Sequence, residues 1–329
     1  MFDLVLPVKA VLVGGLIAAV VMPLAAWGSP RPWRRSVCWS WAIGAGVLAA
    51  SGATDQWPHW PALEDRARFL TLLVPLCLVV ETLAATLRSQ SAAWIMRLGL
   101  ASVVAPILLH NTVYLADLNG PNSAEWSAAQ ATMVLCGLAA LLVLVWVMLS
   151  GLQSRTSTRA VLWVLVLDAL ATAVTVMLSG YYGAGLLGLG LAGALAGATL
   201  ASYIAGARPA SYIAGARPAS YIARPQSPNG GSLGMSLIGI FAVLLVGRFF
   251  GTLPTGLAAC LLLAPLLAWI VELPRLRRLA PGWRGAGRLA SVAVPLIVVV
   301  ILAQRKFAAA SMAHSGFSEP SAIRDQLEK

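Results

Sequence analysis

Ten apolar stretches follow one another along this chain, joined by short connections whose arginines fall almost wholly on every second connection. A helix needs about 20 apolar residues to cross the roughly 30 Å hydrocarbon layer, and each stretch approaches that length. The spans read from the sequence are 7–27, 37–53, 69–87, 98–118, 128–150, 160–179, 183–204, 234–250, 254–273 and 289–304. A nine-span count is the main competitor. The fold class expected is all-α: a polytopic integral membrane bundle of about ten helices.

Arginine placement gives the orientation. The connections 28–36, 88–97, 151–159, 205–233 and 274–288 carry Arg31, Arg34, Arg35, Arg88, Arg97, Arg155, Arg159, Arg208, Arg217, Arg224, Arg275, Arg277, Arg278, Arg284 and Arg288. The connections 119–127, 180–182 and 251–253 carry no lysine or arginine. Basic residues are retained on the cytoplasmic side, so both termini are expected outside. Arg66 and Arg68 depart from this rule, in a loop that also holds Asp55, Glu64 and Asp65, as does the tail with Arg305, Lys306, Arg324 and Lys329. The first stretch reads as a retained helix rather than a cleaved leader, because Asp3 precedes it and Arg31, Arg34 and Arg35 follow it directly.

Composition excludes the soluble classes. With 59% hydrophobic and 11% charged residues, a water-soluble domain could not wet its surface. The net charge of +11 is explained by cytoplasmic loops lying beside anionic headgroups, which leaves nucleic acid without support as a partner. Residues 1–304 therefore form one transmembrane domain in contact with the lipid bilayer, interrupted by a linker at 205–233 and followed by a polar tail at 305–329 expected to be disordered. Short loops and high Ala, Arg and Trp content fit a bacterial inner membrane.

Within the linker, Ser202–Ala210 recurs identically at Ser211–Ala219 and begins again at Ser220. The period is too short for a solenoid and Pro209, Pro218 and Pro225 stop a long helix, so the repeat reads as a linker. Cys38, Cys77, Cys136 and Cys260 lie inside apolar spans with no ligand spacing and behave as small hydrophobic residues. Gly188-Leu189-Gly190-Leu191-Ala192-Gly193 matches a dinucleotide fingerprint in letters only. It lies within a hydrophobic span with no soluble strand before it, and reads instead as a small-residue face for close helix packing. No phosphate loop, zinc helix or nucleophile elbow is present in the sequence, so no cofactor, metal or catalytic residue is assigned.

The informative residues are the ionisable groups inside spans. Counting rise along each stretch puts Glu81, His110 and Asp168 within roughly 6 Å of the bilayer centre on three different helices. Charge at that depth costs about 2.5–3.5 kcal/mol on an insertion scale, so such groups face the interior or a wet cavity. Asn111, Tyr114 and Asp117 extend the His110 helix as a polar stripe toward the outer surface. Pro106, four residues before His110, is expected to kink that helix; Pro265 in span nine has a similar setting, although 289–295 in span ten resembles 100–106 at least as well. Five spans per half would also allow a five-plus-five inverted arrangement.

These features rank three functional readings. First is a permease or secondary carrier for a small solute, with protons as coupling ion and His110, Asp168 and Glu81 along the path. Second is a non-catalytic membrane subunit whose polar residues fix helix pairing and whose partners are other membrane subunits. Third is a lipid-linked transferase using Asp55, His59, Glu64 and Asp65 on the outer loop. A carrier should bring Glu81, His110 and Asp168 together around water; a scaffold should leave them apart, each tied to a neighbouring helix.

Overall fold

Serines mark where three of the helices begin. Ser89 accepts a hydrogen bond from the Ala92 N–H, Ser157 from that of Ala160, and Ser127 forms a reciprocal capping box with Gln130. Each satisfies amide donors that the first helical turn leaves unpaired. In a computed structural model of the chain, residues 4–27, 32–57, 60–62, 64–87, 89–116, 125–206, 230–274, 276 and 280–315 are described.

The helices are α1 (Val5–Trp27), α2 (Pro32–Ala53), α3 (Asp65–Arg68), α4 (Val74–Thr86), α5 (Gln90–Leu109), α6 (Ala128–Arg155), α7 (Thr158–Leu178), α8 (Tyr182–Gly206), α9 (Gly230–Phe249), α10 (Thr255–Leu263) and α11 (Pro281–Ser315). Phe69–Leu73 joins α3 to α4 as a π-helical turn, and Ala264–Glu272 continues α10 as a 3-10 helix. Among the described residues, nine helical spans are long and apolar enough to cross a membrane, and Val37–Ala53 is a shorter apolar helix beside them. The protein is an all-α polytopic membrane bundle.

Both changes of helix type have a proline beside them. Pro75 follows the π-helical turn and Pro265 is the second residue of the 3-10 stretch. A proline lacks an N–H and crowds the carbonyl four residues back, and a wider or tighter turn relieves that crowding. Pro106, by contrast, lies within α5, which continues without interruption to Leu109.

The core is built around α8 and α9. Within their apolar windows 89% of residues are buried, against 22% for α1, α6 and α11, which line the perimeter. Glycines let α8 sit there. A Cβ at Gly193 would fall on the carbonyl of Val11, and one at Gly197 on that of Gly15, so the backbones of α1 and α8 touch. The Gly188–Gly193 segment is thus a packing face.

Contacts between connections define two ends of the bundle. At the arginine-rich end, Arg159 donates to the Ser202 carbonyl at 2.8 Å, and Trp269 Nε1 to the Met148 carbonyl at 3.1 Å. At the opposite end, Thr252 donates to the Ser179 carbonyl and Tyr181 to Asp65.

Three expectations need correction. Span four was expected at 98–118 and is found at Gln90–Leu109, because Arg97 is carried inside the helix by an ion pair rather than left in a loop. Span three begins at Asp65, four residues before the expected 69, which moves its middle away from Glu81. Span ten, expected at 289–304, belongs to a helix running from Pro281 to Ser315, so residues 305–315 are helical. Only Ser202–Gly206 of the tandem repeat is described, as the last turn of α8.

Candidate functional site

The three groups expected at one depth are found at three levels. Asp168 lies at the middle of α7, fully buried. Glu81 lies just over one turn from the C-terminus of α4, at the arginine-rich end. His110 is the residue that terminates α5 at the opposite end, and it is exposed. They do not converge.

Asp168 is the least satisfied group. Both of its carboxylate oxygens are buried without a hydrogen-bond partner, as are the hydroxyls of Thr172 and Thr175. Spacings of four and seven residues set these three side chains on one face of α7, in a row from the middle of the bundle toward the arginine-poor end. Each buried polar atom left unpaired costs about 1–3 kcal/mol, so packing alone gives no reason for this stripe.

Glu81 is satisfied in full. Arg97 of α5 meets it through two parallel bonds, Nε to Oε1 at 3.1 Å and a terminal nitrogen to Oε2 at 2.9 Å. This is the bidentate geometry that suits a guanidinium and a carboxylate. The indoles of Trp94 and Trp146 lie 5.6 and 6.0 Å from the guanidinium carbon and screen the pair from lipid. Gly234 of α9 supplies the last wall: a Cβ there would collide with Glu81 and stand 2.8 Å from Trp146. Four helices close around one ion pair. Sequence reading missed Arg97 by assigning it to a loop; an arginine within two turns of an apolar stretch, beside a span bearing a carboxylate, is the signal that would have found it.

The arginine-poor end holds a cleft of about 310 Å³, bounded by Glu64, Asp65 and Arg68 on one side and by His110–Tyr114, Phe249 and Phe250 on the other. Three of the residues singled out in the sequence, His110, Asn111 and Tyr114, therefore share a surface. Asp117 and His59 lie outside the described residues. Asn111 takes a left-handed backbone conformation (φ 55°), which asparagine tolerates better than most residues and which turns the chain out of α5. Arg68 clamps that turn by donating to the carbonyls of Ala62, Leu108 and His110. Tyr114 stacks against Trp126 and Phe249 at centroid distances of 4.8 and 5.2 Å.

At the base of the cleft, Tyr181 donates a 2.7 Å hydrogen bond to Asp65 Oδ1. Burial first, and then that carboxylate, push the phenol pKa well up, so the hydroxyl stays protonated and remains a donor. Arg66 is held by Glu64 at 2.7 Å. Below Asp65 a narrow crevice, walled by Phe69, Ala184, Leu187, Ala242, Val243 and Val246, leads between α8 and α9.

No family model, no curated protein and no solved structure matches the chain. The site must speak for itself. Among the described residues no group of three or more His, Cys, Asp or Glu side chains is placed to hold a metal ion. Cys38 and Cys77 are buried and free, and Cys136 and Cys260 are free on the outer faces of their helices.

Proposed function

We propose that the protein is a secondary carrier for a small solute, coupled to protons and resident in a bacterial inner membrane with its arginine-rich end in the cytoplasm. The observation that carries this reading is Asp168. A carboxyl group at mid-bundle, with neither oxygen partnered and two unpartnered hydroxyls in line with it, fits a group that exchanges its proton or ligand during a cycle. The cleft at the opposite end is the outer entrance in this scheme, and the Glu81–Arg97 pair closes the inner side.

A second reading is favoured by a different observation. Glu81 is fully tied to Arg97, and His110 and Asp168 lie far from it along the bundle axis, as in a non-catalytic subunit whose polar residues fix helix pairing. Cysteine accessibility separates the two. Single cysteines replace Asp168, Thr172 and Thr175 in a chain lacking the four native cysteines, and a membrane-impermeant thiol reagent is applied from each side. The carrier reading expects labelling at positions 172 and 175 from the cleft side, with a change of labelling on changing pH that is lost when Asp168→Asn is added. Folded protein that stays unlabelled at all three positions overturns the carrier reading and leaves the subunit reading standing.

A further inference from the structure

The arginine-poor cleft combines features that the carrier reading does not require. Asp65 is only 5% exposed, yet it lines the cleft, and its second oxygen, Oδ2, makes no hydrogen bond while Oδ1 takes the Tyr181 hydroxyl. The positive groups nearby are engaged: Arg66 holds Glu64, Arg68 spends donors on the carbonyls of Ala62, Leu108 and His110, and Arg248, 5.6 Å from the Phe249 ring, donates to the Thr255 hydroxyl. An anionic ligand would have to break those bonds. The opposite wall is aromatic, with Tyr114 and Phe249 braced by Trp126, and Phe250 packed at 6.2 Å on Tyr181. Ring faces attract a positive charge most strongly when it is partly desolvated. Two helices, α5 and α9, also end at the cleft, and the C-terminal end of a helix carries partial negative charge.

We infer that the cleft is a binding site for a small organic ammonium ion, its charge held by Asp65 and its alkyl groups seated against Tyr114, Phe249 and Phe250. Its volume of about 310 Å³ lies at the lower end of the range of small-ligand pockets. A bare metal cation would gain nothing from the aromatic wall. The site stands independently of transport, since Asp168 plays no part in it.

Calorimetric titration of the purified full-length protein tests the inference, with choline as probe and its uncharged isostere 3,3-dimethylbutanol as control. Choline should bind saturably and the isostere at least about tenfold more weakly, because only the charged headgroup gains the attraction of the Asp65 carboxylate and of the ring faces. Asp65→Asn keeps an acceptor for Tyr181 but removes the charge, and should weaken choline by about tenfold or more. Should that variant fail to fold, Phe250→Leu and Tyr114→Leu carry the test, each weakening choline more than the isostere. Equal binding of choline and isostere, no choline binding at millimolar concentration, or affinity unmoved in the folded variants overturns the inference. Asp168→Asn should leave choline binding intact, so failure of the carrier reading and failure of this site are distinguishable. The ammonium group has two sources. In nanodiscs of phosphatidylglycerol alone choline should bind; if adding phosphatidylcholine abolishes that binding, the source is a lipid headgroup, and if binding persists, it is a free solute, either outcome supporting the ammonium site.

Discussion

Glu81 and Arg97 are each intolerable alone and acceptable together. The Glu81 side chain has no exposure and that of Arg97 only 12%, so removing one partner leaves the other as an uncompensated charge in a low-dielectric setting. Glu81→Leu or Arg97→Met alone should therefore destabilise the bundle by about 3–5 kcal/mol, whereas the double substitution should recover most of that loss. Thermal unfolding in detergent of the two single variants and the double variant reads the coupling; additive losses would show that the pair contributes nothing beyond packing. Tyr181 makes a prediction about alkaline pH. Its pKa is raised in the folded protein, so the folded state holds this proton more tightly, and the associated stability is present below the ordinary phenol pKa of about 10 and is lost as pH rises beyond it. Tyr181→Phe should remove that part of the alkaline decline in melting temperature, while lowering stability at neutral pH by about 1 kcal/mol through the lost bond to Asp65. A decline of unchanged slope would assign the alkaline sensitivity to another group.

At the level of elements, the glycines of α1 and those of α8 from Gly183 to Gly197 would each meet a neighbour if they carried a side chain, whereas Gly137 of α6 faces open space. Gly193→Ala places a methyl group against the Val11 carbonyl, which is backbone and cannot rotate away, so α1 must shift at a cost of about 1–3 kcal/mol. Gly137→Ala on α6 meets nothing within 4 Å and should be neutral or stabilising by up to about 1 kcal/mol, from helix propensity. Melting temperatures of the two variants should move in opposite directions; a Gly193→Ala protein as stable as the parent would mean the two backbones do not touch. The all-α membrane class and the packing face on α8 were legible in the sequence, since hydropathy and small-residue spacing are local signals; of the ten apolar stretches read there, nine are helices long enough to span among the described residues and Val37–Ala53 is shorter. What escaped was non-local. Arg97 reads as a loop residue because it is an arginine at the edge of an apolar stretch, although Gln90–Leu109 is apolar enough to span with Arg97 inside it and its partner lies sixteen residues earlier on a neighbouring helix. That single displacement carried His110 from an expected mid-membrane position to the rim of a cleft, where it meets Asn111 and Tyr114 in the turn after α5 and not along the helical stripe expected there, together with Asp65, Phe249 and Phe250, which no local pattern connects. Asp168 was placed correctly at mid-helix because nothing near it in sequence shifts α7.

For the molecule as a whole, the two ends differ in chemistry as well as in charge. One gathers arginines that cap helix carbonyls or lie over rings, such as Arg155 at 5.1 Å from Trp269 and Arg159 at 4.5 Å from Tyr203. The other gathers carboxylates, aromatics and the cleft, with Arg66, Arg68 and Arg248 each tied to a partner there. With the arginine-rich end in the cytoplasm, a cysteine replacing exposed Trp60 should react with an impermeant thiol reagent in intact cells, while one in the 207–229 connection should react only after the membrane is opened. The reverse pattern would turn the cleft toward the cytoplasm. The fourth span also bears on how the chain enters its membrane during synthesis. Thr86 and Gln90 are separated by three residues, so α4 and α5 emerge from the ribosome as one hairpin, and Glu81 is already present when Arg97 must leave water. Without Glu81, α5 would have to enter the membrane with Arg97 unpaired, at a cost of about 2.5–3.5 kcal/mol. The order of synthesis therefore suits the pair: the carboxylate is in place first, and the arginine that follows sixteen residues later finds its partner waiting on the neighbouring helix.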